Sequence, residues 1–178
     1  MQSKPKNKKC KQCKALFSPS QPLQYVCGYK CAIEYKKLLE AKKWDIEKKA
    51  IKEKLLTHKD YIKLLQVVFN TYIRLRDSEL PCISCGVYQC EEFHAGHYVA
   101  TTYQYHRFNE LNVWKQCSRC NTHLRGNLIP YRIELINRIG LKGVEEIENT
   151  RHKTLEITIP EIKEQITKYK QLIKQLKK

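Results

Sequence analysis

Two histidines three apart, His94 and His97 in FHAGHYV, and eight cysteines in close pairs are the residues of this chain best suited to chemistry. The pairs are Cys10 with Cys13, Cys27 with Cys31, Cys82 with Cys85, and Cys117 with Cys120, while Cys90 stands apart as a free thiol. A C-x2-C turn offers two thiolates from one tight loop, and two such pairs fill the tetrahedral shell of a zinc ion. The sequence therefore predicts two structural zinc sites, Cys10/Cys13/Cys27/Cys31 and Cys82/Cys85/Cys117/Cys120. A rival arrangement would use Cys82, Cys85, His94 and His97 as one shell, but its two pairs are only eight residues apart and it strands Cys117 and Cys120. With four thiolates on the central zinc, both histidines are released for other work.

These groups must be positioned by short elements. FHAGHYV reads as a strand between the two central cysteine pairs, and residues three apart on an ideal strand face opposite sides. Gly96 between the histidines is read as a bulge that turns both towards one site. Asn121, directly after Cys120, is expected at a helix start, where its side-chain carbonyl suits a hard cation. Together they make a compact, open metal site. Each residue also has a plainer reading: His97 as a core histidine, Asn112 as a turn residue, Asn121 as a helix cap and His94 as a surface residue.

The rest of the chain reads as helix. From Glu34 to Glu79 there is no Pro or Gly, which predicts one or two long helices, highly charged at first. An apolar seam follows at Ile51, Leu55, His58, Ile62, Leu65, Phe69 and Tyr72, suited to a core or to a dimer contact. Pro130 is read as opening a helix that Gly140 ends. Thr158 and Glu161 form a possible capping box before the apolar series Ile162, Ile166, Tyr169, Ile173 and Leu176. The segments are 1–33, a four-cysteine module; 34–79, a charged helical stretch; 80–140, the central core; and 141–178, C-terminal helices.

Thirty-four Lys and Arg against eighteen Asp and Glu leave a net charge of +16 in 178 residues, spread along the whole chain. Such a field favours a polyanion, of which nucleic acid is the commonest. Arg107, Lys115, Arg119 and Arg125 surround the central site in sequence and are candidates for phosphate contacts, or equally for solvated charge. No stretch is apolar enough to span a membrane, and the lysine-rich start lacks the apolar core of a signal peptide. The expected location is a cytoplasm.

The order of a hairpin histidine, Asn112 before the second knuckle, and CSRCN with Asn121 after Cys120 resembles the HNH endonucleases in their His-Asn-Asn form. LPCISCG, AGHY and RFNELNVWKQCSRCNTHLRGNLIPYRIELINRIG, with the CKQC start and its charged helix, extend the likeness to the NinG (Rap) recombination family of phage lambda. The resemblance spans nearly the whole chain and is most specific from Leu80 to Gly140. It implies an α+β, mostly α fold: a zinc-bound ββα core of treble-clef or HNH type, with an N-terminal zinc module, a long charged helix and C-terminal helices. It also implies an endonuclease of branched recombination intermediates, Holliday junctions and D-loops, in the bacterial host's cytoplasm.

In that reading His97 is the general base, Asn112 orients it, and His94 and Asn121 hold a catalytic Mg2+ or Mn2+. The family has Asp where this chain has His94, and imidazole, softer and neutral, shifts the preference towards Mn2+. Two cuts in a symmetric junction would call for a homodimer, with the Ile51–Tyr72 seam as a candidate contact. The alternatives are a non-catalytic zinc-dependent DNA binder and a scaffold for other recombination proteins.

Overall fold

The computed structural model describes residues 7–177, so the lysine-rich residues 1–6 and Lys178 lie outside the described residues. The chain divides into two compact units between Leu56 and Thr57, inside the stretch read from sequence as one helical segment. The division has a local cause. Helix α1 (Tyr29–Lys54) ends at Leu55, and α2 (His58–Arg76) starts afresh with a full capping box. There the Thr57 side chain accepts from the Asp60 N–H, and the Asp60 carboxylate accepts from the Thr57 N–H at 3.1 Å. The apolar seam is therefore cut in two. Ile51 and Leu55 are exposed, whereas Leu65, Phe69 and Tyr72 are buried in the second unit.

The first unit is a two-residue antiparallel hairpin, β1 (Lys8–Lys9) with β2 (Leu16–Phe17), followed by α1. None of the 26 residues of α1 is buried, so this unit has almost no apolar core. Its organising centre is the Cys10/Cys13/Cys27/Cys31 group.

The second unit holds a second antiparallel hairpin, β3 (Phe93–His97) with β4 (Val113–Cys117), and three helices. Helix α2 packs on α4 (Ile159–Leu176) through an aromatic cluster, in which Phe69 meets Phe108 and Tyr169 edge-on. The capping box foreseen at Thr158 and Glu161 starts α4. Helix α3 (Leu128–Thr150) carries a kink at Gly140, whose φ of +78° is open to glycine at little cost, so the stop expected there is a bend between two helical pieces. Tyr131 and Leu135 from the first piece and Val144 from the second join Ile83 in one core. The result is a mostly helical α+β chain with two small hairpins and two four-cysteine clusters.

Two local expectations change. The β3–β4 ladder runs without an extra residue, from Phe93 opposite Cys117 to His97 opposite Val113, so there is no bulge at Gly96. Glycine is needed there for space. A Cβ at residue 96 would lie 2.2 Å from Gln116 Oε1 and 2.8 Å from Gln116 Cβ. Gln116 cannot retreat, since it is fully buried and its amide donates to Ser84 Oγ at 2.7 Å and to the Gly126 carbonyl. Gly96→Ala should therefore lower stability by roughly 1–3 kcal/mol, seen as a lower denaturant midpoint at unchanged slope.

The second difference concerns Cys120. In place of the α-helix start expected after Cys120, one turn of π-helix spans Arg119–His123, and positive φ values at Arg125, Gly126 and Asn127 then break the chain before α3. The sulfur site explains the detour: Asn127 Nδ2 donates to Cys120 Sγ at 3.4 Å, and the Gly126 N–H to the Cys120 carbonyl at 2.9 Å. Asn121 thus sits in a π turn, not at a helix start, and Pro130 lies within the first turn of α3 rather than at its first residue.

Candidate metal centres and hairpin groove

The four central sulfurs lie within 4.8 Å of one another, as do the four of the first unit. The surroundings of the central group fit thiolates. The Cys117 N–H points at Cys82 Sγ at 3.3 Å and the Cys120 N–H at Cys117 Sγ at 3.4 Å, the contacts that stabilise metal-bound sulfur. Burial pushes the Cys120 thiol up to about 12, so without a cation this sulfur keeps its proton. In the first unit burial works against the Cys10 thiolate, yet the N–H groups of Cys13, Cys27 and Gln12 outweigh it and hold the thiol down at about 6. The hydrogen bond to Cys27 pushes Cys31 up to about 12. Either cluster could hold Zn2+. Cys90 belongs to neither; its thiol donates to the Glu92 carbonyl.

Beside the central cluster, a groove of about 430 Å3 brings together His97, Asn121, Arg107 and Arg125, with Gln66 and Asn70 of α2. His97 Nε2 is 3.0 Å from the Arg107 carbonyl, so this nitrogen carries the proton and Nδ1 the lone pair. Burial lowers the His97 pKa, and the carbonyls of Arg107 and Ala95 offset this only in part. The ring is neutral near pH 7.

Asn112 is fully buried and works at one remove from His97. Its amide donates to the Val99 and His106 carbonyls, both at 3.0 Å, and its Oδ1 accepts from the Val99 N–H at 2.8 Å. It closes the loop between β3 and β4 at both ends, and that loop carries the carbonyl that His97 binds. Tyr131 adds a second clasp, its hydroxyl donating to the Gly96 carbonyl at 2.9 Å.

His94 and His97 occupy opposite faces of β3, but His94 reaches the same neighbourhood through Asn121, whose Nδ2 donates to His94 Nδ1 at 2.9 Å. That bond places the His94 proton on Nε2, which faces the Glu92 carboxylate at 3.3 Å. Glu92 is absent from the sequence reading. Its signal was available, two residues before His94 on the same face of an extended segment.

The four candidate phosphate contacts separate. Arg107 and Arg125 line the groove, with Arg107 Nε donating to Gln66 Oε1 at 2.6 Å. Arg119 is exposed on the π turn. Lys115 departs from the expectation: it is buried, its ammonium donates to the Ser78 carbonyl at 2.7 Å and it lies over the Phe93 ring. It is spent on holding the hairpin.

The family model described as Bacteriophage Lambda NinG protein matches residues 2–178. This chain belongs to the NinG family. The ninG protein of Escherichia phage 933W is 40% identical, with 98% of this chain and 96% of that protein aligned. The ninG proteins of Escherichia phage lambda and Salmonella phage P22 are 38% and 36% identical, again over nearly the full length of both partners. No solved structure matches. No helix of this NinG-family chain is long and apolar enough, among the described residues, to cross a membrane.

Proposed function

We propose that this chain is a metal-dependent DNA endonuclease of HNH type, with its zinc-bound hairpin as the ββα core, acting on branched recombination intermediates such as Holliday junctions and D-loops. The observation that carries the reading is the groove beside the central cysteines. A neutral His97, fixed through Nε2 by a backbone carbonyl, shares it with Asn121 and two arginines. His97 takes the proton of the water that attacks phosphorus, while Arg107 and Arg125 hold the strand by its phosphates. Asn112 fixes the loop that orients His97.

A divalent ion would be held by the Asn121 side-chain oxygen and by His94 Nδ1 once the ion displaces the bond that Nδ1 accepts from Asn121 Nδ2; when bound it would neutralise the phosphate and stabilise the departing oxygen. A nitrogen and an amide suit Mn2+ better than Mg2+. Glu92 completes the set in the manner of a carboxylate behind a ligating histidine: it orients the ring and raises the basicity of Nδ1. Glu92→Gln should weaken Mn2+ binding, read by titration calorimetry on zinc-loaded protein, roughly 10- to 100-fold without changing the zinc content. An unchanged affinity would remove Glu92 from the site.

The deciding experiment incubates four-way junctions and linear duplex with the protein in Mg2+ or Mn2+, beside His97→Ala. Selective, metal-dependent cutting by the wild type alone is the expected outcome. Junction binding with no cutting would make the chain a DNA binder, and no binding at modest salt a scaffold. Two symmetric cuts call for two copies of the site, so sedimentation of the protein–junction complex should give two chains per junction. The net charge of +16 makes binding strongly salt-dependent.

A further inference from the structure

A second cavity, of about 500 Å3, opens beside the His97 groove and shares Tyr98, Ala100 and Leu128 with it. Its size lies within the range of small-ligand sites. The two cavities differ in charge and chemistry. The groove is lined by Arg107, Arg125 and His97, whereas this pocket adds Tyr103, Glu148, Asn149 and Arg151.

Glu148 is the informative member. Its carboxylate accepts from Arg132 through two nitrogens, at 2.7 and 3.1 Å, and from the Tyr98 hydroxyl. The Arg132 bonds hold its pKa below the usual carboxylate range, so it stays ionised. Arg132 and Tyr98 both bind Oε1, and Oε2 takes one Arg132 bond only, which leaves a lone pair on Oε2 for an N–H donor. The charge of Glu148 is balanced by Arg132, so this wall gives phosphate no net attraction while still offering an acceptor, and Asn149 beside it can both donate and accept. Opposite in character, Tyr103 is half-exposed, and the Arg151 guanidinium lies 5.8 Å from its ring centre. An aromatic face backed by a cation is a stacking platform for a planar ring.

We propose that this pocket receives an unpaired nucleobase of a DNA strand whose phosphates run along the adjoining groove. The base stacks on Tyr103 and donates an N–H to Glu148, and the arginines of the groove keep the backbone outside. A base inside a duplex is stacked and paired and cannot enter, so the pocket selects strands opened at a branch or a bulge. The inference rests on the reading of the His97 groove as the place where DNA lies.

The test uses full-length, zinc-loaded protein without added divalent ion. Its probes are two duplexes, one with a single bulged 2-aminopurine and one with the same base paired. The bulged base should be quenched on binding. Tyr103→Ala should abolish the quenching and weaken binding of the bulged duplex about tenfold, the scale of one lost base stack. Tyr103→Phe should keep both, and affinity for the paired duplex should move less than twofold in either variant. Undiminished quenching in Tyr103→Ala, or an equal loss on both duplexes, would overturn the proposal. Cleavage is scored separately. Quenching with no cutting by the wild type defeats the nuclease reading and leaves the pocket, whereas cutting with no Tyr103-dependent quenching does the reverse.

Discussion

His97→Ala should slow metal-dependent cleavage of a four-way junction by roughly 10²- to 10⁴-fold, the usual contribution of a positioned general base, while leaving zinc content and junction affinity near wild type. The variant removes a ring that sits at the groove wall, not in the centre of the core, so folding is expected to survive. Acidification gives an independent check. Because burial lowers the His97 pKa from its ordinary 6.5, the base form persists to lower pH, and the rate should fall with acid only below that value.

Stability should move in the same direction, which has to be separated from the rate. The folded pKa of His97 is depressed, and so is that of His106, which burial also lowers. Below 6.5 the unfolded chain binds more protons than the folded one, so the contribution of both groups is complete above that pH and is lost as pH falls through their folded values. Circular dichroism at each pH distinguishes the two effects. A rate that follows only the fraction folded, or a His97→Ala enzyme with unchanged cleavage, would remove His97 as the base.

The chemistry-bearing residues were legible because their signals are local. Cysteine pairs at knuckle spacing announce themselves, and both clusters close as the spacing requires. The Thr158–Glu161 box and the strand character of Phe93–His97 are equally short-range. What sequence misplaced depends on contacts distant in the chain. Gly96 looked like a bulge, and only the packing of Gln116, twenty residues on, reveals that its missing Cβ is what matters. Lys115 reads as one more surface cation because nothing near it in the chain signals the Ser78 carbonyl and the Phe93 ring that enclose it. The apolar seam reads as continuous because periodicity does not register the Thr57 cap that interrupts it.

The two cysteine clusters should fail separately. In the first unit no residue of α1 is buried, and among its buried groups is Cys10, itself a member of the cysteine cluster. Bound zinc would supply the folding free energy there, on the order of 10–16 kcal/mol for a structural zinc against the 5–15 kcal/mol of a whole ordinary domain. Cys13→Ser should therefore unfold the hairpin of this unit yet leave the second unit, with its own aromatic and aliphatic core, intact. Cys117→Ser acts differently. Cys117 ends β4, pairs with Phe93 at the start of β3 and lies three residues before Cys120, so its loss frees the hairpin and the turn holding Asn121 together. Zinc measured by mass spectrometry should fall from two per chain to one in either variant, with junction cleavage lost in Cys117→Ser and retained on short junctions in Cys13→Ser. Two zinc ions in Cys13→Ser would show that the first cluster is not a zinc site. Full cleavage by Cys117→Ser would show that the metal-held hairpin does not position His97 and Asn121.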